Sequence, residues 1–201
     1  MRELVMVGET EIGKTTLANA LLGWDLFPQT NDGWYMPTKE NASRMLTEEI
    51  RLTDTPGYDA RWKQVPEALV QAVSRADTLV VLLSGNLVEE DSDLPDLDPD
   101  WDARRSEEER LLKDLLGKGR TRDIFFVLPF DSGDWPEEQE SPDQGLRLAR
   151  ARFAAMTDHG EQGFFCVDPK MALVGEIEAD QDAIARSGLP PLKAALLTEK
   201  T

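Results

Sequence analysis

A strand, a glycine loop and a helix in direct succession constrain this chain more than any other feature. The segment Gly8-Glu9-Thr10-Glu11-Ile12-Gly13-Lys14-Thr15 is a full G-x-x-x-x-G-K-[ST] pattern. Glu3-Leu4-Val5-Met6-Val7 before it is an apolar, β-rich run that reads as a buried strand. Thr16-Leu17-Ala18-Asn19-Ala20-Leu21-Leu22-Gly23 after it spaces apolar residues as a helix does and ends on a glycine. A chance glycine turn would need both flanks in register by accident, so the pattern reads as a phosphate-binding loop. Its glycines let successive backbone N–H groups converge on phosphate oxygens, and the helix N-terminus adds partial positive charge. In this reading Lys14 reaches the β- and γ-phosphates and the Thr15 hydroxyl ligates Mg²⁺. The expected nucleotide-binding set here is Gly8, Glu9, Thr10, Glu11, Ile12, Gly13, Lys14, Thr15 and Thr16.

Composition narrows the partners. The chain has 201 residues, enough for one domain with a sizeable core. Its formal charge of −17 opposes phosphate backbones and anionic headgroups, which excludes nucleic acid and direct membrane contact from the expected partners. A lone cysteine, Cys166, rules out an internal disulfide and reads as a small core residue. The one histidine, His159, sits among turn residues, and no transition-metal constellation is visible. No apolar run approaches a membrane span, and Met1-Arg2 leads straight into the first strand without a signal-peptide core. These features point to a cytoplasmic protein.

Further along, residues 23–38 read as loop, 42–47 and 49–53 as a hairpin, and 65–73 as a helix. Residues 78–83 form a continuous apolar run and read as a buried strand. An acidic insertion around 88–105 follows, crowded with Asp and Glu and broken by Pro95 and Pro99. A calcium loop would need a glycine at its turn, and none occurs between Glu89 and Asp102, so a solvated insertion is the better reading. Ser106-Glu107-Glu108-Glu109 reads as a capped helix start, with Leu111, Leu112, Leu115 and Leu116 as the apolar face. Strands at 124–128 and 164–167, helices at 145–156 and 191–197, and a polar loop at 131–143 complete the chain. Alternating strands and helices predict an α/β, three-layer P-loop NTPase fold: a mostly parallel sheet with helices on both faces, in one domain spanning 1–201.

A second motif pairs with the loop. Asp54-Thr55-Pro56-Gly57 ends the hairpin's second strand. A carboxylate there can hold a Mg²⁺-bound water, and the Gly57 N–H can contact the γ-phosphate. Between the two motifs, Thr38 is the best candidate for a mobile threonine that closes over Mg²⁺, with Thr30 as the alternative. The metal set is then Thr15, Thr38 and Asp54, and the catalytic candidates are Lys14 and Thr38.

On these residues the chain resembles a translation-factor-type (TRAFAC-class) GTPase domain, and is most similar to dynamin-like and Era-like G domains. Weaker echoes are Ala76-Asp77, Ser106-Glu107, Phe125-Phe126-Val127-Leu128 before Asp131, and Lys170-Met171-Ala172-Leu173. The resemblance implies GTP and GDP as ligands, Mg²⁺ as cofactor, and Asp131 and Lys170 as base contacts. Three departures bear on this. Leu128 stands where the family places an asparagine or threonine beside the base, the lysine that packs on the base is missing, and Asp168-Pro169-Lys170 replaces Ser-Ala-Lys. Tyr58 occupies the position of the Ras-type glutamine that orients water, and Glu11 stands where dynamin-like members carry a serine. The expected function is therefore a switch that binds GTP with Mg²⁺ and hydrolyses it slowly, with reduced base selectivity. A pseudo-GTPase interaction module and, less favoured, a P-loop kinase are the alternatives. A G-domain dimer or a protein effector are the macromolecular partners left open.

Overall fold

The computed structural model describes residues 1–24, 27, 40–59, 64–84, 101–117, 123–130, 142–156 and 160–198. Its strands are β1 (Arg2–Val7), β2 (Ala42–Met45), β3 (Ile50–Asp54), β4 (Thr78–Leu82), β5 (Asp123–Pro129) and β6 (Phe164–Val167). They form one six-stranded sheet in the order β2-β3-β1-β4-β5-β6. Only the edge pair β2–β3 is antiparallel; the other neighbours run parallel. The α-helices are α1 (Lys14–Leu22), α2 (Glu67–Arg75), α3 (Trp101–Leu116), α4 (Pro142–Phe153), α5 (Pro169–Glu178), α6 (Gln181–Arg186) and α7 (Leu189–Leu197).

The continuous apolar strands follow from a sheet covered on both sides. Side chains alternate across each strand, so β1 sends Leu4 and Met6 to one face and Val5 and Val7 to the other. On the first face Val80, Leu82, Phe125 and Val127 meet Leu17 and Leu21 of α1, Leu173 of α5 and Leu192 of α7. On the second face Leu79, Val81 and Phe126 meet Leu69 and Val73 of α2, Leu112 of α3 and Phe153 of α4. Phe126 is fully buried and stacks between Phe153 and Phe164, with ring centroids 5.4 and 5.0 Å away. Each such side chain contributes about 2 kcal/mol by leaving water. The three-layer α/β expectation is met.

Three local readings are corrected. The helix after the acidic stretch begins at Trp101, not at Ser106, so residues 101–105 are helical. Ser106 is thus inside the helix, and Glu108 is on its buried face. Two helices, α5 and α6, follow β6 where the apolar pattern carries almost no helical period. Their signals are local: Asp168 caps α5 by accepting from the Met171 N–H at 2.9 Å, with Pro169 in the first turn, and Asp180 caps α6.

The chain leaves the carboxyl end of β1 toward α1 on one face. It leaves the carboxyl end of β3, on one side of β1, toward α2 on the other face, and returns on the opposite side as β4. Ligand crevices of α/β sheets form where connections diverge like this.

Candidate functional site

The loop from β1 to α1 lies at that crevice. Gly13 takes a left-handed φ of 97° and Glu11 one of 68°. For a residue with a Cβ this conformation costs roughly 1 kcal/mol. Glu11 is exposed, so its carboxylate is spent in solvent rather than against the loop. The first turn of α1 has no side-chain cap and no acidic residue. Its N–H groups are therefore left for a ligand to satisfy, in contrast to the capped starts of α5 and α6.

Lys14 is buried at 6% exposure and folds back over its own loop, Nζ donating to the Glu9 carbonyl at 2.7 Å. Desolvation pulls its pKa down to about 8, against the opposing charges of Asp54 and Glu9. A buried ammonium in this position gains strongly from an anion that restores its solvation. Next to it the Thr15 hydroxyl donates to Asp54 Oδ2 at 2.7 Å, and Asp54 is 1% exposed at the end of β3. These adjacent oxygens fit a hard divalent cation such as Mg²⁺ and do not suit a soft one. Among the described residues no group of three or more His, Cys, Asp or Glu could cage an ion, so a cation here would draw further ligands from water and phosphate.

The second motif packs directly against the loop. Thr10 N–H donates to the Tyr58 carbonyl at 2.9 Å and Tyr58 N–H to the Gly8 carbonyl at 3.3 Å. A Cβ on Gly57 would lie 2.5 Å from the Thr10 backbone, so only glycine permits this approach. The Thr55 hydroxyl bonds the Met6 carbonyl at 2.6 Å and fixes the turn to the end of β1. Lys14, Thr15, Asp54 and Gly57, far apart in sequence, thus come together.

Asn19 was a motif letter in the sequence and is a clamp in the structure. Its amide donates to the Phe27 carbonyl at 3.0 Å and accepts from the Phe27 N–H at 2.8 Å, with both residues buried. This pins Phe27 to α1. The available signal was an asparagine inside an apolar helix, where it is disfavoured unless its side chain has a task.

Beyond β5 and β6 the polar groups are differently used. Leu128 is buried in the core among Phe126 and Ile124. Asp168 is occupied as the α5 cap, and its N–H donates to the Ser187 carbonyl at 2.8 Å. Lys170 lies exposed in the first turn of α5. Thr30, Thr38, Asp131 and His159 lie outside the described residues, as does the acidic stretch 88–100. Cys166 is partly buried against the second-face core, as expected of a small core residue.

A loop of this form at the end of β1, apposed to Asp54 and Gly57 in a mostly parallel sheet, defines a P-loop GTPase fold of the TRAFAC class. The chain belongs to the 50S ribosome-binding GTPase family, whose model matches residues 3–128. Solved structures share the fold. Era from Aquifex aeolicus, a variant bound to GDP·AlF4⁻, is 15% identical with a TM-score of 0.50, the match covering 100% of this chain and 59% of that one. A probable GTP-binding protein engB is 14% identical with a TM-score of 0.51, covering 92% and 97%. Era in complex with MgGDPNP and nucleotides 1506–1542 of 16S ribosomal RNA is 16% identical with a TM-score of 0.50, covering 92% of this chain and 56% of that one. This chain spans less than two thirds of the length of either Era chain. No curated protein sequence matches significantly. The Era-like part of the resemblance thus has solved counterparts, whereas the dynamin-like echoes rest on sequence alone. Among the described residues no helix is long and apolar enough to cross a membrane.

Proposed function

We propose that residues 1–201 form one G domain that binds GTP with Mg²⁺, hydrolyses it slowly to GDP, and changes conformation with the nucleotide. The observation that carries this is the junction of Lys14, the Thr15–Asp54 pair and the Gly57–Thr10 contact around the uncapped start of α1. Residues 8–16 cradle the phosphates, Lys14 neutralises the β- and γ-phosphates, and Gly57 N–H reports the γ-phosphate. Thr15 and Asp54, joined by Thr38, hold Mg²⁺, which when bound neutralises charge on the β- and γ-phosphate oxygens. Asp131 and Lys170 read the base.

Tyr58 supports slow hydrolysis. Its side chain is 1% exposed and turned into the core, so it does not orient an attacking water. Era was solved with ribosomal RNA, but a charge of −17 opposes an RNA partner here. The proposed partners are GTP, GDP and a second G domain or protein effector, without direct membrane contact, in the cytoplasm.

Titration with labelled GTP, GDP, ATP and ADP, with and without Mg²⁺, tests this reading. GTP and GDP should bind, GTP more tightly with Mg²⁺, and Trp24, which is 70% exposed after α1, should report the triphosphate by fluorescence. A pseudo-GTPase is the second reading, favoured by Leu128 in the core and Asp168 in the cap. Absence of nucleotide binding in the titration would select it.

A further inference from the structure

Tyr58 is held at both ends. Its backbone is paired with Gly8 and Thr10 of the phosphate loop, and its carbonyl also accepts from the Thr10 hydroxyl at 3.2 Å. Its phenol runs into the core and donates to Glu108 Oε1 of α3 at 3.1 Å. The same oxygen accepts from the Ser84 hydroxyl, at the end of β4, at 2.7 Å. Glu108 is 1% exposed and Ser84 5%. A carboxylate this deep is costly unless such donors meet it, and one of them belongs to the residue that follows Gly57. Burial, then the charges of Glu108 and Glu9, push the Tyr58 pKa far up, so the phenol keeps its proton and acts as the donor.

We propose that Tyr58 and Glu108 are positioning residues for γ-phosphate recognition: they anchor the backbone at Gly57 to α3 and so preset its N–H for a triphosphate. This rests on the proposed nucleotide site and extends it to a residue that no motif marks. On that reading Gly57 meets only the γ-phosphate, which a diphosphate lacks, so loosening the anchor penalises the triphosphate selectively. Ser84 shares the carboxylate oxygen from a different segment, just past β4. Its hydroxyl stabilises Glu108 without transmitting to the loop. Because coupling is reciprocal, triphosphate binding protects α3 through the same anchor.

The experiment measures dissociation constants for GDP and a non-hydrolysable GTP analogue with Mg²⁺ in the full chain. Tyr58→Phe and Glu108→Ala should each lower the triphosphate-to-diphosphate affinity ratio about fivefold, the worth of one hydrogen bond, with GDP affinity within about twofold. The double variant should lose no more than either single one, since both remove one contact. Glu108→Gln, which keeps the acceptor oxygen, should retain the wild-type ratio, and Ser84→Ala should lower the melting temperature without moving it. A wild-type ratio in both Tyr58→Phe and Glu108→Ala overturns the proposal while leaving the nucleotide site standing. So does a drop in Ser84→Ala as large as in Tyr58→Phe, which marks a general packing defect. Wild-type protein that binds neither nucleotide overturns the site and the anchor together.

Discussion

At the carboxyl end of β1, backbone amides, a buried lysine and a hydroxyl–carboxylate pair face one small volume. At the ends of β5 and β6, two of the corresponding positions serve the fold instead. Leu128 packs in the core, and Asp168 caps α5. The two halves of the crevice rely on different things. Phosphate recognition of this kind uses backbone geometry and a few charges, and an exposed Glu11 leaves that geometry in place. Base recognition uses side-chain hydrogen bonds, and it is eroded as soon as those side chains serve another purpose. A chain can therefore keep tight phosphate binding while its base preference weakens.

The largest test of that contrast removes the phosphate half. Lys14→Ala should lower affinity for GTP and GDP roughly 100-fold or more, because the ligand's charge loses its buried partner. Calorimetric titration checks this, and circular dichroism should show an unchanged fold. Asp54→Ala should act more selectively. The affinity ratio of triphosphate to diphosphate with Mg²⁺ should fall about tenfold, in line with loss of one charge-assisted contact. Equal losses for both nucleotides would mark Asp54 as a turn residue only. Thr15→Ala should likewise weaken triphosphate binding several-fold in Mg²⁺. Adding a chelator should then cost this variant much less than it costs wild type.

The base half should respond weakly. GTP should be preferred over ATP by a modest margin, and Asp131→Asn should narrow that margin about threefold or shift it toward xanthine triphosphate. A large wild-type preference untouched by this change would assign base reading elsewhere. The smallest effect belongs to Asp168→Ala. Loss of the cap should reduce stability by about 1 kcal/mol, read as a lower denaturation midpoint, while the GTP-to-ATP ratio stays fixed. A change in that ratio would put Asp168 in the base site after all.

Much of the fold was legible because local pattern and global packing agree. The runs 78–82 and 124–128 are continuous because both sheet faces are covered, and β2 is largely exposed because it is the antiparallel edge of the sheet. The start of α3 is hard to read in sequence because Trp101–Arg105 continues directly from the acidic, proline-broken stretch. The helices α5 and α6 were missed because apolar residues surround α5 on several sides, which erases the periodic signal. Their capping aspartates, Asp168 and Asp180, are the sequence signals that mark them.

Lys14, Thr15, Asp54 and Gly57 stand out in the sequence because two short motifs mark them, and the structure brings those motifs together. Glu108 was not. On the page it is one glutamate in a run of three beside an acidic stretch, and only burial distinguishes it.

What the sequence determined by itself is the phosphate loop. A strand, a left-handed glycine and an uncapped helix start are local events, and they require only residues 3–22. Only the tertiary structure decided that Gly57 lies on Thr10, that Asn19 holds Phe27, and that Tyr58 reaches Glu108 rather than the crevice. These depend on how the sheet brings distant segments to the same end of β1, and the pairing is a property of packing rather than of any single stretch of chain.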